Sequence, residues 1–227
     1  MGNLTGTFTH ISPSLLLEGS AVIVAALSAM ITAAKKQMDF VGVYALALVT
    51  SFGGGTIRDL TLGEHPIFWV RDGSFVITAT AAGLVTFFIA RVRDIPGNVL
   101  LIADALTLAF FTVLGAEKAL AWNVAPQIAV AMGVITGVAG GMCRDALLSE
   151  IPLVFRREIH LYATASAIGA GCFVAMRHWL PGRTSALVAG TLVTLALRLA
   201  GIRWRLGLPY FDGPQRNDPK RENPPQR

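Results

Sequence analysis

Arg58-Asp59 and Arg144-Asp145 are the residues of this 227-residue chain best placed to do chemistry, because each oppositely charged pair lies within an apolar segment. Charge at that depth is costly in lipid, so it marks a place where ions are held, paired or passed. Each pair follows a run of small residues, Gly53-Gly54-Gly55 in one case and Ala139-Gly140-Gly141 in the other. A shift of 86 positions superimposes the two motifs, and the register continues. Leu62 meets Leu148, Glu64 meets Glu150, Pro66 meets Pro152, Arg71 meets Arg157, and Thr78-Ala79 meet Thr164-Ala165. The same shift sets Glu18 against Asp104. The chain holds two copies of one unit.

The glycines admit two readings that can hold together. Gly133, Gly137 and Gly141 form a small-xxx-small ladder, answered by Ala47, Ser51 and Gly55, and such ladders let helices pack closely. The Gly53–Gly55 run has wide backbone freedom, and a kink or local unwinding there would turn carbonyls toward a cavity where a cation could exchange its water for them. Adjacent residues do not share a helix face, so Arg58 and Arg144 are expected to find carboxylates or carbonyls on other helices. The competing reading makes them interface residues that snorkel, since Arg58 is about 27 Å along its span at 1.5 Å per residue. A bare arginine would be a barrier to cations, which Glu18, Asp104, Asp59 and Asp145 could offset. Lys118, after Glu117, reads either as an outer-interface residue or as a pore-facing charge that responds to voltage or ligand.

Other chemistries find little support. His10, His65, His160 and His178 lie near span ends without ligand spacing, and Cys143 and Cys172 read as small core residues. No nucleophile elbow, phosphate loop, zinc motif or catalytic carboxylate pair is present, so an enzyme is not expected and no metal site is assigned.

The elements that must position these residues are membrane helices. Hydrophobic residues make up 53% of the chain, charged residues only 15%, and the mean hydropathy is +0.58. Soluble proteins carry about 25% charge. The net charge of +5 reflects loop and tail basic residues rather than nucleic-acid binding. The first ten residues hold no Lys or Arg, so the first apolar stretch is expected as an uncleaved span.

Seven spans follow: 14–34, 40 to about 62, 74–90, 98–121, 126–148, 159–176 and 184–200. From residue 209 a Pro-, Asn- and Arg-rich tail is expected to be disordered. Lys35, Lys36, Arg91, Arg93, Arg156, Arg157 and the basic C-terminal segment lie on one side, against Arg71, Arg177 and Arg183 on the other. The positive-inside rule then sets the N-terminus outside and the C-terminus in the cytoplasm. Trp69, Trp122, Trp179 and Trp204 fall near span ends, as interfacial aromatics do. Each unit has three spans, an odd number, so the second enters from the opposite face. The expected fold is all-α and integral to the membrane, with inverted three-helix repeats at 14–90 and 98–176 and a seventh helix at 184–200.

The doubled Gly-Gly-x-x-Arg-Asp-x-x-Leu-x-x-x-Pro pattern, in two three-span units plus a seventh span, resembles the prokaryotic branch of the trimeric intracellular cation channels over about residues 14–200. The resemblance implies a homotrimer in the plasma (inner) membrane of a prokaryote, each protomer having its own pore. It implies passive, potassium-permeable conduction, with the second and fifth helices kinked beside the pore at Gly53, Gly54, Gly55, Gly140 and Gly141. It also implies Lys118 as a gating charge; Arg58, Asp59, Arg144, Asp145, Glu18 and Asp104 are further candidate pore or gating charges by their own placement in the apolar segments. Ala139 departs from the pattern, standing where a third glycine of the second run would be. No cofactor is expected beyond the permeant K+ or Na+, with a bound lipid left open. The partners are the bilayer, further copies of the chain and monovalent cations, with no nucleic acid. Such domains are also labelled glycine-transporter-like, and a secondary transporter of a small solute such as glycine is the alternative, because broken helices and inverted repeats also build transporters.

Overall fold

The structure, a computed structural model, describes residues 13–36, 38–92, 96–156, 161–179 and 182–204. The tail expected to be disordered, His10, His160, and the basic residues Arg93, Arg157, Arg205, Arg216, Lys220, Arg221 and Arg227 lie outside these ranges. The regular structure among the described residues is helical. It comprises α1 (Pro13–Lys35), α2 (Phe40–Leu62), α3 (Phe68–Arg71), α4 (Ser74–Val92), α5 (Gly97–Ala121), α6 (Pro126–Leu147), α7 (Tyr162–Trp179) and α8 (Arg183–Trp204), with a 3-10 turn at Leu153–Phe155.

Five of these helices, α1, α2, α5, α6 and α8, are long and apolar enough to cross a membrane. The third expected span is an apolar but shorter helix, α4. The sixth, expected from Ile159, is helical from Tyr162 and carries Arg177 and His178 in its last turn. The short α3 has no signal in the sequence, because four residues between Pro66 and Ser74 are too few to show a period.

Local chemistry sets the helix ends. Asp39 caps α2, its carboxylate accepting the Gly42 N–H at 2.7 Å. Gly63 ends α2 in the left-handed region (φ 72°), and the Gly63 and Glu64 N–H groups bond back to Leu60 O and Asp59 O at 3.2 and 2.8 Å. This is a Schellman closure. The second unit repeats it with Ser149 (φ 54°) in place of the glycine and the Glu150 N–H on Asp145 O at 2.9 Å. The fixed five-residue step from Asp to Glu in each motif follows from this closure. Pro126 opens α6 at its first turn, where its missing N–H does no harm.

The 86-residue shift takes α1 to α5, α2 to α6 and α4 to α7. Matched helices pair across the centre, α1 with α5 and α2 with α6, while α8 packs on α5 and α7. Small residues make this possible: Ala21, Ala25, Ala26 and Ala29 on α1, and Ala105, Ala109, Ala116 and Ala119 on α5, are all fully buried. Cys143 and Cys172 are free thiols, half-buried rather than core residues. Cys143 lies beside Gly53, where a Cβ would sit 3.5 Å from its Sγ.

Candidate functional site with two buried ion-pair centres

The middle of the molecule is the crossing of α2 and α6. A Cβ on Gly140 would stand 2.5 Å from the Thr50 carbonyl oxygen, and one on Gly54 would overlap the Thr136 carbonyl oxygen. The shift takes Thr50 to Thr136 and Gly54 to Gly140, so the two clashes are one contact made twice, and residue numbers rise on α2 as they fall on α6. The helices cross antiparallel with no room for a side chain. Thr50 and Thr136 satisfy their hydroxyls on carbonyls one turn back, Leu46 O at 2.7 Å and Met132 O at 2.6 Å. Such back-bonding favours bending.

Helix is unbroken through Gly53–Gly55 and Gly140–Gly141, so of the two expected alternatives, a kink or local unwinding, the unwinding is not found; the glycines serve close approach. The ladder packs as expected. Cβ atoms on Gly133 and Gly137 would stand 2.7 Å from Thr112 O and 2.5 Å from Thr112 Oγ1, so both seat α6 on α5. Gly55 leaves room for the Phe68 ring, 2.5 Å from a Cβ there, and a Cβ on Gly141 would meet Asp104 Oδ1 and the Tyr162 hydroxyl at 3.5 and 3.4 Å.

On either side of the crossing sits a cluster of charge. In the first, Arg58 Nε donates to Asp59 Oδ1 at 2.7 Å, and Lys118 Nζ reaches the same oxygen at 3.0 Å. Asp59 Oδ2 accepts the Phe68 N–H at 2.9 Å, which is what α3 is placed to do. Arg58 Nη2 lies 3.7 Å from Glu18 on α1, and its guanidinium is 5.5 Å from the Phe68 ring centroid. Lys118 also pairs with Glu64 at 2.9 Å, where the Trp122 indole N–H donates at 3.3 Å.

The second centre repeats the core of the first. Arg144 Nε donates to Asp145 Oδ1 at 2.8 Å, and Asp145 Oδ2 accepts the Leu153 N–H at 2.9 Å. Arg144 Nη1 bonds Ser28 Oγ on α1 at 2.6 Å and Asp104 Oδ1 on α5 at 3.4 Å. Asp104 is also 3.9 Å from Arg198 of α8, whose guanidinium lies 4.6 Å from the centroid of the Tyr162 ring.

Each arginine does pair with its sequence neighbour, because a long side chain can fold back along the helix to the adjacent carboxylate; each also reaches a carboxylate on another helix, as expected. Arg58 and Arg144 are 1% exposed, which excludes the snorkelling interface reading. Lys118, in the last turn of α5 and 19% exposed, bridges Asp59 and Glu64. Arg198 and Tyr162 carry no repeat signal, because α8 has no counterpart and position 76, the mate of Tyr162, is Val76.

The ends of the bundle are tied by a second pair of matched contacts. Glu64 meets Trp122 at one end, and Glu150 meets Lys36 at 2.6 Å at the other; the shift takes Glu64 to Glu150 and Lys36 to Trp122. Burial alone would raise the Glu64 carboxyl, but Lys118 and Trp122 outweigh it and hold it below its ordinary 4.5. Lys36 and Arg156 lower Glu150 in the same way. Among the described residues no group of His, Cys, Asp and Glu is arranged to hold a metal.

The chain matches the family model described as glycine transporter at residues 15–91 and 101–178, more than half its length. It is 44% identical over 199 residues to the UPF0126 inner membrane protein YadS of Escherichia coli K12, covering 86% of this chain and 93% of that one. Among solved structures, the TRIC trimeric intracellular cation channel orthologue from Rhodobacter sphaeroides superimposes with a TM-score of 0.80 at 40% identity, covering 85% of this chain and 98% of that one. A second structure, of a TRIC cation channel analysed for conductance, gives 0.79 at 34%, with 88% and 97% covered. The chain is a multi-pass membrane protein, and it belongs to the TRIC family.

Proposed function

We propose that the protein is a potassium-permeable cation channel of a prokaryotic inner membrane. The observation that carries this is the 40% identity and 0.80 TM-score to a TRIC cation channel over nearly all of that chain, together with two charge centres buried inside apolar helices. In this reading the chain crosses seven times, as inverted repeats at 14–90 and 98–176 plus a helix at 184–200, with the N-terminus outside. Lys36, Glu150 and Arg156 share one end of the bundle, while Glu64, Lys118 and Arg183 share the other, which supports the alternation of the spans. Three copies assemble, each with its own pore. The pore runs past both centres, and α2 and α6 bend at Gly53–Gly55 and Gly140–Gly141 when it opens. Glu18, Asp59, Asp104 and Asp145 attract the cation; Arg58, Arg144 and Lys118 set when it passes.

The name of the matching model favours a second reading, coupled transport of glycine. Proteoliposomes separate the two. A channel gives passive rubidium efflux that does not saturate and needs no glycine; saturable, gradient-coupled glycine uptake without rubidium flux would replace it with a transporter.

A further inference from the structure

The short helix α3 touches α2 on both sides of the Gly53–Gly55 run. The Phe68 ring fills the notch at Gly55, where a Cβ would stand 2.5 Å from one ring carbon and 3.1 Å from two more. The same ring meets Phe52, before the run, edge to face at 5.9 Å, and the Arg58 guanidinium, after it, at 5.5 Å. Trp69 spans the run in the same way. Its ring stacks on Phe52 at 5.4 Å, and its indole N–H donates to the Thr56 hydroxyl at 3.0 Å. Asp59 holds the first residue of α3 by accepting the Phe68 N–H, and Phe75 of α4 backs the buried Phe68 ring at 5.3 Å.

The second unit keeps the aspartate cap and lacks the rest. The shift takes Phe52 to Val138, Thr56 to Met142, Phe68 to Val154 and Trp69 to Phe155. Val154 has no ring to fill a notch, Met142 has no hydroxyl to accept an indole, and Phe155 is 64% exposed. The Leu153 N–H on Asp145 is what remains. Gly141, the mate of Gly55, meets Tyr162 of α7 instead, and a Cβ there would stand an ordinary 3.4 Å from the tyrosine hydroxyl. The aromatic strap therefore belongs to the first unit alone, and it is not a by-product of the repeat.

We propose that α3 is a splint, with Phe68 and Trp69 as the positioning residues that hold α2 unbent across Gly53–Gly55 and so keep the path shut at the first centre. Bending at the glycines swings Phe52 away from Thr56 and Arg58, and α3 cannot follow both. The Phe68 ring must then leave its notch, so these contacts stabilise the closed form and not the open one. The other face of α3 leaves it room to lift, since Val70 and Arg71 are exposed. This deepens the channel reading above and rests on it.

The test is single-channel recording of the purified full-length protein in planar bilayers, for wild type, Phe68→Ala, Trp69→Phe, Thr56→Val, the double variant Trp69→Phe/Thr56→Val, and Phe155→Ala. Phe68→Ala empties the notch and removes two aromatic pairs, and should raise open probability roughly tenfold. Trp69→Phe and Thr56→Val each delete the same hydrogen bond and should each raise it about fivefold, with the double variant no higher than either single one. That saturation at unchanged unitary conductance is something a merely structural loss would not give. Phe155→Ala, at the position matching Trp69, should behave as wild type. If Phe68→Ala does not assemble, the Trp69 and Thr56 variants decide. A conducting wild type whose open probability does not rise in the Phe68, Trp69 and Thr56 variants, or rises as much in Phe155→Ala, overturns this inference alone. Silence from wild type and every variant overturns the channel reading with it.

Discussion

Gly140 packs so tightly on Thr50 that a Cβ would stand 2.5 Å from the Thr50 carbonyl oxygen, and Gly54 does the same to Thr136. The crossing of α2 and α6 is thus fixed by two equivalent backbone contacts rather than by interlocking side chains. By contrast, a Cβ on Gly53 would sit 3.5 Å from Cys143 Sγ, an ordinary contact. Gly54→Ala and Gly140→Ala should each lose about 1–3 kcal/mol through overpacking against backbone that cannot yield. Gly53→Ala should be neutral or gain up to about 1 kcal/mol in helix propensity. Thermal unfolding in detergent ranks the three; equal effects would refute the crossing.

Asp59 and Asp145 do the same two jobs, pairing an arginine and capping the N–H of Phe68 or Leu153. Removing the carboxylate leaves a buried arginine short of a partner, a loss of about 3–5 kcal/mol in a dry site. Asp145→Asn should approach that figure. Asp59→Asn should lose less, because its centre is the wetter one, Glu18 and Lys118 being 20% and 19% exposed where Asp104 is 3%. Melting temperatures of the two variants give the comparison, and a larger loss for Asp59→Asn contradicts it.

Ser149 holds the left-handed position that Gly63 holds in the first unit, at φ 54° against 72°. An L side chain is disfavoured there, so Ser149→Gly should stabilise the protein by about 1 kcal/mol while keeping the Glu150 N–H bond to Asp145 O. A lower melting temperature would mean that the serine side chain has a use the closure does not explain.

Glu64 and Glu150 both titrate below 4.5 in the folded protein. A carboxylate with a depressed folded pKa binds fewer protons when native than when unfolded. Its contribution is therefore fully present above pH 4.5 and is lost as pH falls through the folded value. Between pH 6 and pH 3 the melting temperature should fall, and Glu64→Gln or Glu150→Gln should flatten that fall by starting lower. A variant with the wild-type slope would show that its end contact contributes nothing.

Much of this is legible in the sequence because the protein writes its plan twice. The register of Arg58-Asp59 with Arg144-Asp145, and of Glu18 with Asp104, locates both centres. The helix ends follow from Pro126 and Trp122. What cannot be read is whatever lacks a twin. Arg198 sits on the unpaired α8 in the setting Leu197-Arg198-Leu199, free of any motif, where it reads as one arginine near a span end. The pairing of Arg58 with Asp59 escapes the face rules because they treat side chains as short, and a guanidinium reaches past its own face. The glycine runs read as hinges from their freedom, although what their neighbours need is their emptiness.

The central claim is that this bundle passes cations, and reversal potential measures it most directly. Purified protein in planar bilayers under an asymmetric KCl gradient should show unitary currents that reverse close to the potassium equilibrium potential. Currents that reverse near the chloride potential, or no unitary currents while gradient-coupled glycine uptake proceeds, would contradict it.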